Sequence, residues 1–139
     1  MIEKYYDYYF QFNLIMTNSD LIKNYIQTYN SMYIIGMLMN LHNDIVFENY
    51  SKGVLMLRLE GIQAFEIQAE KACTFFNWRK QTIKDWQISQ DEIIISIDYH
   101  AELAMDFSKS MKAGDELKLS GTSTFHFKDG LISFIKDES

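Results

Sequence analysis

Proline is absent from this sequence, although average usage near 5% would place about seven in 139 residues. That removes cis-proline turns and leaves the tight turns to Gly, Asn and Asp. A single cysteine, Cys73, excludes an intrachain disulfide and suits a reducing cytoplasm, the compartment we expect. No apolar run reaches the ~18 residues of a membrane span, and the opening MIEKYYDYYFQFNLI lacks the apolar region of a signal peptide. Basic residues are outnumbered, 13 to 19, and form no cluster. The resulting net charge of −6 opposes binding to nucleic acid or an anionic membrane. Internal repeats and low-complexity linkers are missing too.

What is present is ordinary globular material: 47% apolar and 23% charged residues. A chain of this length buries about 68% of its unfolded surface as one domain. The first twelve residues are unusual, with six aromatics. Thr17 or Asn18 then offers a helix cap, so residues 16–139 read as a single domain. Residues 1–15 are either an added aromatic arm or an artefact of start-site choice.

Helical spacing of Leu21, Ile22, Tyr25 and Tyr29 predicts a helix over 18–30, and a second, short one covers 33–41. Strands follow at 44–49 and 54–59, joined by a Ser-Lys-Gly turn at 51–53. Gly61 opens a third helix with Ile62, Phe65, Ala69, Ala72 and Phe76 as its buried stripe. Further strands are expected at 81–89, 92–106, 117–127 and 131–136, with Asp129-Gly130 as the last hairpin turn. This order describes an α+β fold: a curved antiparallel sheet wrapped around helices.

The stretch 97-IDYHAE-102 sets Asp98, His100 and Glu102 on one face of a strand, a pattern open to metal or acid–base chemistry. Alternation argues against it. Ile93, Ile95, Ile97, Tyr99 and Ala101 form the apolar side, and Leu117, Leu119, Gly121, Ser123 and Phe125 repeat it on the next strand. The polar row therefore lies on the convex side, with Thr122, Thr124 and His126 as expected neighbours. Nothing encloses it as a metal site requires. We expect no metal and no cofactor, and a solvated face or a polar dimer interface there.

Taken in order, YIQTYN, LHNDIVFENYSKG, EGIQAF and LSGTSTFHFKDGLI, closing in KDES, resemble the SnoaL-like polyketide cyclase branch of the nuclear transport factor 2-like (NTF2-like) superfamily. The resemblance covers roughly residues 18–139. It implies a cone, the cystatin/NTF2-like fold, whose curved sheet surrounds a pocket closed by helices. It also implies a homodimer formed through the sheet. Ketosteroid isomerases, cyclases, dehydratases and non-catalytic binders all share this architecture. Carried over by motif, Tyr25 falls at the isomerase tyrosine, Asn49 where that enzyme has its carboxylate base, and Ser123 near its protonated aspartate, an enzyme used as an example of pKa tuning. An amide cannot accept a proton at neutral pH, and alternation aims Glu48 away from the pocket. Isomerase chemistry of that type is not expected, and no catalytic residue is assigned.

A concave wall of Tyr25, Phe47, Asn49, Tyr99, Ser123 and Phe125 suits an apolar small molecule. A filled core in which the phenols reach Asn49 or Ser123 is the other reading of the same residues. Trp78 and Trp86 either stack on a ligand at the mouth or pack internally, His42 caps the second helix, and Cys73 is inert core. Tyr33, Ile35, Val54, Met56, Ile67 and Trp78 stand where the pattern wants polar residues. Converging on one surface, they would make a non-catalytic protein-interaction module, natural or engineered, the rival to small-molecule binding.

Overall fold

The computed structural model describes residues 16–139, so the aromatic segment 1–15 lies outside the described residues. Three helices and six strands alternate as α1 (Asn18–Asn30), α2 (Ile34–Leu38), β1 (Leu41–Ser51), β2 (Val54–Glu60), α3 (Ile62–Cys73), β3 (Phe76–Ile88), β4 (Glu92–Leu103), β5 (Glu116–Lys128) and β6 (Leu131–Glu138). The strands form one open sheet in the order β2-β1-β6-β5-β4-β3. No helix among the described residues is long and apolar enough to cross a membrane.

Thr17 caps α1 through a reciprocal box. Its hydroxyl accepts from the Asp20 amide at 3.1 Å, and the Asp20 carboxylate accepts from the Thr17 amide at 3.1 Å. Helix α1 then presents Leu21, Ile22, Tyr25 and Ile26 to the sheet, where they meet Ile93, Ile95, Phe125, Ile132 and Ile135. This apolar layer is the core and supplies most of the burial. Helix α2 is shorter than its apolar run predicts. Asn40 ends it by donating from its side-chain amide to the Gly36 carbonyl at 2.9 Å, while accepting from Asn24 on α1 at 3.0 Å. His42 consequently belongs to β1 rather than to a helix end, and its Nε2 lies 3.2 Å from Asp129.

Two hairpins turn on Lys52-Gly53 and Asp129-Gly130, with φ of 50° and 77°, then 54° and 74°. Positive φ at both central residues matches the twist of the flanking strands. The sheet departs from the expected all-antiparallel arrangement at one place: β1 and β6 run parallel. The last strand inserts between the first and the fifth, a direction that alternation cannot reveal. Register also differs on the convex side, where Asp98, His100 and Glu102 face Ser120, Lys118 and Glu116 rather than Thr122, Thr124 and His126.

Strands β3 and β6 extend past their expected ends, starting at Phe76 instead of 81 and reaching Glu138 instead of 136. Both extensions carry side chains that line the cavity described below. Close passage of β6 depends on Gly121, because a Cβ there would overlap the Glu138 carbonyl oxygen. Gly121→Ala is expected to lower the unfolding free energy by about 1–3 kcal/mol, as forced overpacking does. Urea denaturation reads this directly, and a variant as stable as the parent would mean that β6 does not pass so close.

Candidate active site in the concave sheet

Between the sheet and helices α1 and α3 lies a cavity of about 300 Å³. Phe47, Leu57, Leu59, Phe65, Phe76 and Leu119 supply its apolar wall. Polar groups enter from four strands: Asn49 on β1, Arg79 and Gln81 on β3, Tyr99 on β4, and Asp137 on β6. Apolar walls with a few placed polar groups are the usual make-up of a small-molecule site.

Asp137 is the central group. Across the parallel β1–β6 ladder it faces Asn49, and across the antiparallel β5–β6 ladder it faces Ser123. The three polar residues therefore form a row across three adjacent strands. Ser123 donates from its hydroxyl to Asp137 Oδ1 at 2.6 Å. Burial raises the Asp137 pKa to about 6, and the Ser123 hydrogen bond opposes that rise only in part. Such a carboxylate is largely ionised at pH 7, yet close enough to its midpoint to exchange a proton in either direction.

Three phenols stand nearby. Tyr25 packs edge-on to Phe125 at 6.3 Å between ring centroids and tilted against Phe65 at 6.5 Å. The Tyr29 and Tyr99 hydroxyls are hydrogen-bonded at 3.1 Å, an arrangement that uses one phenolic proton and leaves the other for a ligand. Desolvation raises the pKa of all three, and each also senses the charges of both Asp137 and Arg79. They are neutral donors throughout the physiological range.

Arg79, 3% exposed, donates from Nε to the Tyr29 carbonyl at 3.0 Å and lies with its guanidinium carbon 3.7 Å from the centre of the Tyr29 ring. Gln81, two residues on and facing the same way, is anchored through its backbone to the Asn30 side chain at 2.7 and 3.0 Å.

Of the wall residues expected from sequence, Tyr25, Phe47, Asn49 and Tyr99 line the cavity. Ser123 stands behind the wall and holds Asp137, while Phe125 is fully buried in the core beneath Tyr25. Glu48 points to the other face and pairs with Arg58, as alternation requires. Asp137, Arg79, Gln81 and Tyr29 were not anticipated. Extending the inward set Ile135 by two residues reaches Asp137, and extending Ile83 and Gln81 backwards reaches Arg79.

The convex row is engaged by surface partners. Asp98 accepts from the Ser120 hydroxyl at 3.0 Å, Glu102 accepts from Asn77 at 2.8 Å, and His100 lies 3.3 Å from Glu116 with its ring edge-on to Trp78. Among the described residues no group of three or more His, Cys, Asp or Glu is arranged to hold a metal ion.

The six apolar residues singled out as a partner surface are all exposed, from Trp78 at 38% to Ile67 at 69%. They are dispersed. Val54 and Met56 lie on β2 and Trp78 on β3, the two opposite edges of the sheet, while Tyr33, Ile35 and Ile67 lie at or on helices α2 and α3. Trp78 sits on the convex side against His100, and Trp86 packs on the core with Lys23 over its ring at 5.8 Å, so neither tryptophan closes the cavity.

No protein-family model matches the chain, and no curated protein matches it in sequence. Solved structures do match its fold. A protein named as a candidate polyketide cyclase from Pseudomonas putida KT2440 superposes with a TM-score of 0.70 at 18% identity, covering 88% of this chain and 90% of that one. An NTF2-like protein of unknown function from Burkholderia pseudomallei K96243 gives 0.72 at 13% identity, with 88% and 90% covered. TerC, co-crystallised with polyporic acid, gives 0.69 at 15% identity, with 86% and 88% covered. The chain has the NTF2-like fold expected from its sequence. At these identities the likeness extends to architecture alone.

The Asp137 pKa makes stability depend on pH with a defined sign. An aspartate titrates near 3.8 when unfolded and near 6 here, so the folded chain holds this proton more tightly. Its contribution is fully present below pH ~4 and is lost as pH rises through ~6, by at most about 3 kcal/mol where no water screens the carboxylate. Asp137→Asn is expected to flatten the fall in unfolding free energy across that interval. An unchanged pH profile would place the carboxylate in contact with bulk water.

Proposed function

We propose that this protein binds a flat, largely apolar small molecule bearing an oxygen function, and acts on it by proton transfer at Asp137, as a polyketide-cyclase- or isomerase-type enzyme. The observation that carries the reading is a carboxylate of pKa about 6 set in the wall of a 300 Å³ apolar cavity. Structural neighbours that include a candidate polyketide cyclase are consistent with it.

In this reading Asp137 removes a proton from carbon next to a ligand carbonyl and returns it elsewhere on the same molecule. Ser123 keeps the carboxylate oriented, since its hydroxyl is committed at 2.6 Å. The uncommitted proton of the Tyr29–Tyr99 pair donates to the oxygen on which negative charge develops. Asn49, directly across the ladder from Asp137, adds an amide that can donate to the ligand or steady the carboxylate.

The placement of Val54 and Met56 at one edge of the sheet and Trp78 at the other does not favour the rival reading of an interaction module. The test is a melting-temperature screen against flat apolar ketones, followed by proton–deuterium exchange on any compound that binds. A ligand at about 100 times its dissociation constant adds ~2.7 kcal/mol, a rise of several degrees. Asp137→Asn is expected to keep the shift and to slow exchange by roughly a hundredfold or more. Full exchange in that variant would remove Asp137 from the chemistry.

A further inference from the structure

The chain has two arginines, and their surroundings differ sharply. Arg58 is half-exposed and held by Glu48 and Glu60. Arg79 is buried in the cavity wall, and no carboxylate among the described residues comes within 4.0 Å of it. Its partners are the Tyr29 carbonyl and ring and, at 3.9 Å, the Met37 sulfur. A guanidinium has five N–H groups, and these contacts occupy only two of them. Taking such a charge out of water without an anion is costly, so a buried arginine normally comes with one.

A second polar group in the same wall is only partly satisfied. Gln81, 7% exposed, has its side-chain oxygen buried with no hydrogen-bond donor. It follows Arg79 by two residues on β3, so the two side chains leave the same face of the strand. Arginine donors without a protein partner, open to the cavity, therefore lie on the same wall as an unpaired acceptor. Apolar surface faces them from Phe47, Leu57, Leu59 and Phe65. Asp137 does not answer the Arg79 charge, because its titration is governed by desolvation and by Ser123.

We propose that the cavity is built for a planar organic acid, its carboxylate or equally acidic enolate bound by Arg79 and an adjacent hydroxyl donated to Gln81. This rests on the reading of the cavity as a small-molecule site and narrows it from apolar compounds in general to hydroxylated aromatic or enolic acids. The planar guanidinium accepts two oxygens of one anion side by side, which a lysine at this position would not do. The ligand's rings lie against the phenylalanine and leucine wall, and its reactive carbon is left facing β6.

The test compares 3-hydroxy-2-naphthoic acid with its methyl ester, by calorimetry near neutral pH, on the parent chain and on Arg79→Met. The acid is expected to bind roughly 10–100-fold more tightly than the ester, as a charge-assisted paired contact requires. In Arg79→Met that preference should vanish while the ester keeps its affinity. Arg79 also braces Tyr29, so Gln81→Glu serves as a second variant if Arg79→Met does not fold. Its new carboxylate neutralises Arg79 from the same strand face and should abolish acid binding while sparing the ester. Equal affinity for acid and ester in the parent, or a preference that survives both substitutions, overturns the acid assignment and leaves the cavity reading intact. Failure of both compounds to bind counts against the cavity as a ligand site and overturns the assignment with it.

Discussion

Strand β6 enters the sheet between β1 and β5, parallel to the first and antiparallel to the second, and the rest of the site hangs on that insertion. It sets Asp137 in line with Asn49 on one side and Ser123 on the other. The ladder hydrogen bonds on both flanks hold the backbone, and the 2.6 Å contact from Ser123 fixes the side chain. Gly121 makes room for the strand to reach that far, since any larger residue would meet the Glu138 carbonyl. The Asp137 side chain is half-buried, set in the cavity wall between those flanking strands. Desolvation in that wall raises its pKa, against the opposing hydrogen bond from Ser123.

The concave face divides into two parts with different physics. Under α1 it is packed solid, with Ile22, Ile95, Phe125, Ile132 and Ile135 excluded from solvent. Towards the far ends of β4, β5 and β6 the same face is left unfilled, and there the polar groups gather. Packing in the first part supplies stability, and it supports the strain of keeping titratable groups in the second. Tyr25 stands at the boundary, its ring in the core contacts of Phe125 and Phe65 and its edge on the cavity. Confining charge and phenols here costs stability that a core of pure hydrocarbon would not lose.

Much of the fold was legible from alternation and capping. The helix at Asn18–Asn30, the hairpin at Asp129-Gly130 and the inward set from Ile93 to Ala101 follow from local chemistry, and the structure has them all. The site was legible only in part. Tyr25, Phe47, Asn49 and Tyr99 line the cavity and lie within elements expected from periodicity. Asp137 and Arg79 were missed because they lie beyond the strand bounds expected from sequence. A carboxylate in a closing KDES reads as a solvated tail, and an arginine after a tryptophan reads as surface. Their inward direction depends on how far pairing continues, which is a tertiary fact. The parallel direction of β6, and the register that sets Ser120 opposite Asp98, belong to the same class.

The central claim is that Asp137 is a confined, titrating carboxylate, and its side-chain carbon resonance tests this most directly. The chain would be labelled with ¹³C at aspartate carboxyls, the signal assigned by its loss in Asp137→Asn, and followed from acid to neutral pH. The account predicts a midpoint about two units above that of an ordinary aspartate, near 6. A midpoint near 4 would contradict it, showing Asp137 to be solvated and the cavity to lack its acid–base group.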